Sequence, residues 1–241
     1  MGTSHIGDGP SCHSPVPSRD MTETIEIKPG VTGALAGPAG EGQAPGLLVI
    51  HEWHGVTDGI RALCTCFAAE GFLALAPDLY HGQVATDDET AAGLMNALST
   101  ESAMDDLRAA VATLAAHPRC NGKVGIVGFC MGGAMAFAAA GAVEGLVCAV
   151  PFYGLPRPDF FDPSKVKCPI QAHFAANDGW AVPDKAAAFR DGVNAHGGAM
   201  ELHVYDAGHA FMREGDARVY DAASAASAWT RTTAYLHRHL G

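Results

Sequence analysis

The chain has 241 residues, of which 48% are apolar. It is therefore too long for a disulfide-stabilised miniprotein and too apolar for a disordered chain. Its 15 basic and 26 acidic residues give a formal net charge of −11, which repels phosphate backbones and anionic lipids. No apolar run reaches the roughly 20 residues of a membrane span. We therefore expect a cytoplasmic protein with neither a nucleic-acid nor a membrane partner.

The composition changes near residue 20. Residues 1–20 carry Gly, Pro, Ser and His without periodicity, so we expect a disordered leader or an added extension there. Residues 21–241 are expected to form a single domain, since one core suffices at this length. The seven cysteines lack paired zinc-ribbon spacing, which predicts reduced thiols used mostly as small core residues, Cys64 and Cys66 among them.

Short apolar runs alternate with segments of helical spacing through the rest of the chain. An antiparallel hairpin is predicted at residues 23–28 and 31–36, around a Pro-Gly turn. Buried parallel strands are predicted at residues 46–50, 72–76, 124–127, 146–150, 170–174 and 202–205. Helices are predicted at residues 60–69, 88–98, 103–116, 131–140, 185–196 and 218–239. This order predicts an α/β fold, a doubly wound and mostly parallel sheet with helices on both faces, whose chemistry collects at the carboxyl ends of the strands.

Three positions mark the starts of predicted helices. Asp58 precedes the first helix, and Ser102, with Asp105 three residues later, has the capping-box spacing expected for the third. Pro183 suits the first turn of the fifth helix, because the N–H that proline lacks is unpaired there in any case.

The most specific motif is Gly128-Phe129-Cys130-Met131-Gly132-Gly133, between an apolar strand and an Ala-rich helix. It has the form of a nucleophile elbow with a thiol in place of the hydroxyl, a tight turn that strains its central residue. Positions 128 and 132 must be small, because a β-carbon there would collide with the turn. The helix N-terminus favours a thiolate, which predicts Cys130 as a nucleophile. The alternative is a small residue that only packs; a nucleotide site is disfavoured because its glycine motifs are absent.

An elbow nucleophile needs a base and an acid that orients the base, and both follow in chain order at later strand ends. Asp178 follows the predicted strand 170–174, and His209 follows the strand 202–205. They are the predicted acid and base. Asp206 is the competing acid, but it lies only three residues before His209, where turn formation is the expected role.

A second polar segment, His51 to Gly55, follows the predicted strand 46–50. The N–H groups of Trp53 and Met131 are expected to converge on a developing oxyanion, each such donor being worth about 10²–10³ in rate. Glu52 would then point near the thiol. As a metal site the segment fails, because His51 and His54 lack the His-Glu-x-x-His spacing and face opposite sides of an extended chain. Neither a metal nor another cofactor is expected.

Further motifs follow the other strand ends. They are Pro77-Asp78-Leu79-Tyr80, Phe152-Tyr153-Gly154, Asn177-Asp178 and Gly208-His209-Ala210-Phe211. Together with Glu52 and the elbow, they resemble the dienelactone hydrolase family of the α/β-hydrolase superfamily, over about residues 23 to 239. The resemblance implies the α/β-hydrolase fold, a triad of Cys130, Asp178 and His209, oxyanion amides from Trp53 and Met131, and a Glu52 that holds the thiol until substrate displaces it.

Two departures from that family concern the substrate. Members that act on dienelactone hold its carboxylate with arginines; Arg213 matches one of them, but Gly82 stands where the other is expected. Arg213 could also be a solvated surface residue. A different pocket, lined by His81, Tyr153, Trp180 and Phe211, would suit another lactone or a small ester.

These observations lead to one expected activity and two rivals. We expect a monomeric hydrolase of lactones or carboxylic esters, with a small-molecule substrate and an acyl-thioester intermediate. Amides are poorer substrates, because an amine leaving group demands stronger protonation. The rivals are a non-catalytic small-molecule binder that uses the same pocket and a thiol redox protein that uses Cys130.

Overall fold

The structure, a computed structural model, describes residues 22–241. The predicted leader at residues 1–20 lies outside the described residues. The strands are β1 (Glu23–Lys28), β2 (Val31–Ala36), β3 (Ala44–Ile50), β4 (Leu73–Pro77), β5 (Cys120–Phe129), β6 (Leu146–Phe152), β7 (Ile170–Asn177) and β8 (Met200–Gly208). The helices are α1 (Asp58–Ala69), α2 (Asp88–Ala97), α3 (Thr100–Ala115), α4 (Met131–Ala142), α5 (Pro183–Ala195) and α6 (Ala222–Leu240).

Within residues 22–241 the strands form one eight-stranded sheet in the order β1-β2-β4-β3-β5-β6-β7-β8. The β1–β2 hairpin lies at one edge, and β2 is antiparallel to β4. From β4 to β8 every neighbouring pair is parallel. The predicted α/β class, edge hairpin and parallel strands are confirmed.

Helices cover both faces of the sheet, which explains why the central strands are apolar throughout. On β3, Leu48 and Ile50 pack in the core beneath α3 and α4, while Leu47 and Val49 pack in the core beneath α1 and α6. A strand buried on both faces has no polar side, so its sequence does not alternate. No helix of the described residues is both long enough and apolar enough to cross a bilayer.

Two predicted helix caps are wrong, and one predicted start is confirmed. Thr57, not Asp58, caps α1, because its hydroxyl accepts a hydrogen bond from the third amide of the turn. Ser99, not Ser102, caps α3 in the same way, so that helix begins three residues before the predicted range. Helix α5 begins at Pro183 as predicted.

The cysteines of the described residues fall into three groups. Cys64, Cys120, Cys148 and Cys168 are free and buried, whereas Cys130 is free and partly exposed. Burial raises the pKa values of the Cys64, Cys148 and Cys168 thiols to about 12, so these thiols are unreactive near neutral pH. Cys66 is disulfide-bonded and only partly buried, so the prediction of a reduced core thiol is wrong there.

Candidate active site

Cys130 lies on a strained turn between β5 and α4, with φ of 54° and ψ of −114°. A methyl group on Gly128 would overlap the carbonyl oxygen of Gly132, and one on Gly132 would overlap the carbonyl oxygens of Ile50 and His51. Both positions therefore require glycine, as the elbow geometry predicts. The turn presents the sulfur at the carboxyl edge of the sheet.

Three predicted residues form one hydrogen-bonded chain at this edge. Nε2 of His209, which follows β8, lies 3.1 Å from Sγ of Cys130. Nδ1 of His209 lies 2.7 Å from Oδ2 of Asp178, which follows β7. Because β5, β7 and β8 run parallel, their carboxyl ends meet at the same edge, and each strand end supplies one of the three side chains.

The carboxylate of Asp178 is buried and fully hydrogen-bonded. Its side chain is 0% exposed, and Oδ1 accepts from the backbone amides of Trp180 and Ala181 at 2.8 and 3.0 Å. Burial alone would raise the pKa of Asp178, but the hydrogen bonds from His209 and the two amides outweigh it and hold the pKa below its usual value. Asp178 is therefore an ionised carboxylate that fixes the orientation of the imidazole.

The imidazole of His209 carries a raised pKa. Burial would lower it, but hydrogen bonds to Asp178 and Cys130 raise the pKa to about 10. At neutral pH the ring is therefore an imidazolium that lies between the Asp178 carboxylate and the Cys130 sulfur. The competing acid, Asp206, is exposed and accepts a hydrogen bond from Asn177 at 3.2 Å instead.

The two expected oxyanion donors lie on neighbouring segments. Met131 is the first residue of α4, so its N–H has no partner within the helix. Its thioether accepts a hydrogen bond from the hydroxyl of Tyr80 at 3.2 Å. Trp53 lies in the loop after β3, with its ring edge-on to His54. The sequence marks Tyr80 only as part of a motif, because its contact with a residue 51 positions away leaves no local signal.

Glu52 forms an ion pair with Arg213. Its Oε2 accepts from Nε of Arg213 at 2.6 Å, whereas Oε1 is buried with no hydrogen-bond partner among the described residues. The side chain of Arg213 is only 26% exposed, so it is not a solvated surface residue. The contact that the structure gives Glu52 is therefore with a guanidinium rather than with the Cys130 thiol.

The other predicted substrate-binding residues differ in their burial and in their contacts. Tyr153 is buried, with its ring edge-on to His209 at 5.2 Å. Phe211, which the sequence predicts to line a pocket, is instead fully buried against Tyr153, so its ring is not exposed to a substrate. His81 is instead hydrogen-bonded to Asp106 of α3 at 2.8 Å. Trp180 is 79% exposed and can meet a substrate from solution.

His51 has a structural setting that the sequence analysis missed. Its ring is fully buried, with Nδ1 2.6 Å from the carbonyl oxygen of Glu52 and Nε2 accepting from the amide of Leu79. A polar ring directly after a buried strand was the available signal, but the partner amide lies 28 positions away. Among residues 22–241 no three metal-ligating side chains are grouped to hold an ion, so His51 is a hydrogen-bonding residue here.

Comparison with known proteins identifies the family. The sequence profile of the dienelactone hydrolase family matches residues 31–240. The chain belongs to that family. As a dienelactone hydrolase family member it is a hydrolase that acts on ester bonds, and its sheet and helices have the α/β-hydrolase fold.

Relatives of the family match over most of their length. Protein usf of Aquifex pyrophilus is 36% identical, covering 87% of this chain and 94% of that protein. The carboxymethylenebutenolidase of Pseudomonas sp. strain P51 is 33% identical over 80% of this chain and 86% of that enzyme. A Klebsiella pneumoniae crystal structure with a provisional dienelactone hydrolase name is 27% identical, with a TM-score of 0.78 over 86% of this chain and 93% of that one.

Proposed function

We propose that this chain hydrolyses lactones or small carboxylic esters with Cys130 as nucleophile, His209 as base and Asp178 as the orienting acid. The observation that carries the proposal is the continuous chain of hydrogen bonds from the Cys130 sulfur through both nitrogens of His209 to a buried carboxylate. A nucleophile within reach of a base, which is itself oriented by a third group, is the signature of covalent catalysis.

In the first half-reaction the Cys130 thiolate attacks the carbonyl carbon, so that a C–S bond forms and the π electrons move to the oxygen. The N–H groups of Met131 and Trp53 donate to that oxyanion, each contributing about 10²–10³ in rate. The C–O bond to the leaving group then breaks, and the imidazolium of His209 gives its Nε2 proton to the departing oxygen. The products are an alcohol and an acyl-thioester on Cys130.

In the second half-reaction water attacks the thioester carbon, while neutral His209 accepts the proton that water loses. The C–S bond breaks, the carboxylic acid leaves, and the thiolate and imidazolium are restored. Asp178 stays ionised through both halves and stabilises the positive imidazole. A lactone gives the same balance, except that the alcohol and the acid remain in one molecule.

The proposed substrate class rests on two positions, Arg213 and Gly82. The name of the Pseudomonas relative, carboxymethylenebutenolidase, indicates an unsaturated lactone that carries a carboxylate. Arg213 could hold such a group, but it is already paired with Glu52. Gly82, where a second arginine is expected, has open space around it. We therefore favour lactones or small esters that need at most one cation, with Trp180 contacting the substrate at the surface.

The test is to remove the sulfur and to trap the acyl-enzyme. Cys130→Ala should abolish hydrolysis of aryl esters while circular dichroism shows an unchanged fold. His209→Gln should slow deacylation, so that mass spectrometry detects an acyl adduct on the peptide that contains Cys130. Cys148→Ala, which removes a buried free thiol, is the matched control: alone it should retain activity, and combined with His209→Gln it should still give the adduct on Cys130. Near-full turnover by Cys130→Ala, or an adduct on another residue, would contradict the proposal.

The same samples distinguish the two rivals. A non-catalytic binder would show no turnover and no enhanced alkylation of Cys130, and a redox protein would show alkylation without an acyl adduct. The other free cysteines of residues 22–241 are buried, so none of them offers an accessible resolving thiol, and this does not favour a redox cycle.

A further inference from the structure

A buried histidine contacts the peptide bond that carries one proposed oxyanion donor. His51 is 0% exposed, and its Nδ1 lies 2.6 Å from the carbonyl oxygen of Glu52. On the other side of the ring, the backbone N–H of Leu79 donates to Nε2 at 3.3 Å. The ring therefore joins the loop after β3 to the loop after β4 through backbone groups alone.

These contacts define the tautomer of His51. A backbone N–H can only donate, so Nε2 must be the unprotonated nitrogen. In a neutral imidazole the proton is then on Nδ1, which donates to the Glu52 carbonyl. Burial lowers the pKa of His51 by more than the Glu52 hydrogen bond and the Asp78 charge raise it, so the ring stays neutral and keeps this tautomer.

The carbonyl of Glu52 and the N–H of Trp53 belong to the same peptide unit. Because that unit is planar and trans, the two groups point in opposite directions, and a group that holds the carbonyl also sets the direction of the N–H. On the basis of the function proposed above, we propose that His51 is a positioning residue that keeps the Glu52–Trp53 peptide turned so that the Trp53 N–H faces the oxyanion. A flipped peptide would present a carbonyl oxygen there instead.

Two further contacts bear on this role. The N–H of Gly55 also donates to the Glu52 carbonyl, but at 3.3 Å, so the bond from His51 is the shorter of the two. The His51 ring also packs on Tyr80 at 4.9 Å, and the Tyr80 hydroxyl holds the Met131 side chain. Both segments that carry proposed oxyanion donors are thus connected to one buried ring.

Two substitutions separate hydrogen bonding from packing. The amide of glutamine has an NH₂ group that donates and a carbonyl oxygen that accepts, so His51→Gln can keep both backbone hydrogen bonds. His51→Leu keeps the volume but loses both. We expect His51→Leu to lower kcat for an aryl ester by about 10²–10³, the contribution of one oxyanion donor, with little change in KM. His51→Gln should recover most of that loss.

A second readout distinguishes positioning from a merely structural role. Alkylation of Cys130 by iodoacetamide requires the thiolate but no oxyanion donor, so its rate in His51→Leu should match the wild-type rate. Parallel losses of alkylation, thermal stability and kcat would show that His51 only supports the fold. An unchanged kcat in His51→Leu would also overturn the proposal.

The tautomer can be measured in the wild-type chain, whether or not His51→Leu folds. Nitrogen-15 NMR should show His51 protonated on Nδ1, the signal being assigned by its loss in His51→Gln. Protonation on Nε2 would overturn the inference. If Cys130→Ala keeps near-full turnover, the proposed function fails, and the tautomer still decides whether His51 holds the Glu52 peptide.

Discussion

Replacing Asp178 with asparagine tests the site most directly, because it changes charge and hydrogen bonding without changing shape. The Asp178 side chain is fully buried and accepts from the Trp180 and Ala181 amides as well as from His209. In Asp178→Asn the amide oxygen keeps the two backbone donors, so its NH₂ group faces Nδ1 of His209. Since NH₂ is a donor, the neutral imidazole must place its proton on Nε2, which is the wrong tautomer for a base toward Cys130.

The size of the loss follows from the raised pKa of His209. A pKa of about 10 against 6.5 corresponds to about 5 kcal/mol in favour of the imidazolium. The hydrogen bond to Asp178 is the largest contribution that raises this pKa, so the variant loses part of the free energy that stabilises the imidazolium. The reversed tautomer adds to this, and we expect kcat to fall by about 10³–10⁴, the scale of this substitution in other triads.

The assay is steady-state hydrolysis of an aryl ester, with Asp206→Asn as the matched control. Asp206 is exposed and paired with Asn177, so its variant should remain close to wild type. A loss below about tenfold in Asp178→Asn would refute the reasoning. An equal loss in both variants would instead implicate Asp206 as the acid that orients His209.

Three further predictions concern stability. The pKa of His209 is raised from 6.5 to about 10, so the stabilisation of the fold by its protonated ring is complete below pH 6.5 and is lost as pH rises through 10. In urea titrations, the difference in unfolding free energy between wild type and His209→Gln should shrink over that range. A constant difference would contradict this prediction. Gly132→Ala should lower the free energy of unfolding by about 3 kcal/mol or more, because its methyl group would overlap backbone carbonyls. Gly93→Ala has open space around it on α2 and should raise the free energy of unfolding by about 0.5–1 kcal/mol, measured by the same titration. Asp106→Ala removes a buried carboxylate that accepts hydrogen bonds from two partners, so its free energy of unfolding should fall by about 1.5–3 kcal/mol. Thermal unfolding measures this beside the exposed control Asp105→Ala. Equal melting temperatures of the two variants would contradict the prediction.

Sequence patterns predicted the interior of each element better than its ends. The run at residues 202–205 predicted a strand, but β8 continues to Gly208, because the Asp-Ala-Gly sequence at its carboxyl end is typical of a loop. Helix α6 begins only at Ala222, since the Asp221 side chain accepts from the amide of Ser224 and caps it there. Apolar periodicity reports which segment is buried, whereas an end depends on one hydrogen bond.

Contacts between distant segments could not be predicted in the same way. Glu52 and Arg213 are 161 positions apart, and either could have been solvated on sequence evidence alone. The tautomer of His51 depends on an amide in the loop after another strand. The His51 contact arises because β3 and β4 lie side by side in the sheet, and not from spacing along the chain.

The elbow could be predicted because backbone atoms, not side chains, determine it. A methyl group on Gly133 would overlap the carbonyl of Phe152, and one on Gly154 would overlap the carbonyl of Cys130. Backbone atoms cannot change rotamer to make room, so each of these close contacts requires glycine. Those glycines can be recognised in the sequence. An exposed side chain such as Trp180 is under no comparable constraint from the backbone. The glycines of the turn at Cys130 could therefore be interpreted from the sequence, because each of them answers a contact with a fixed backbone atom.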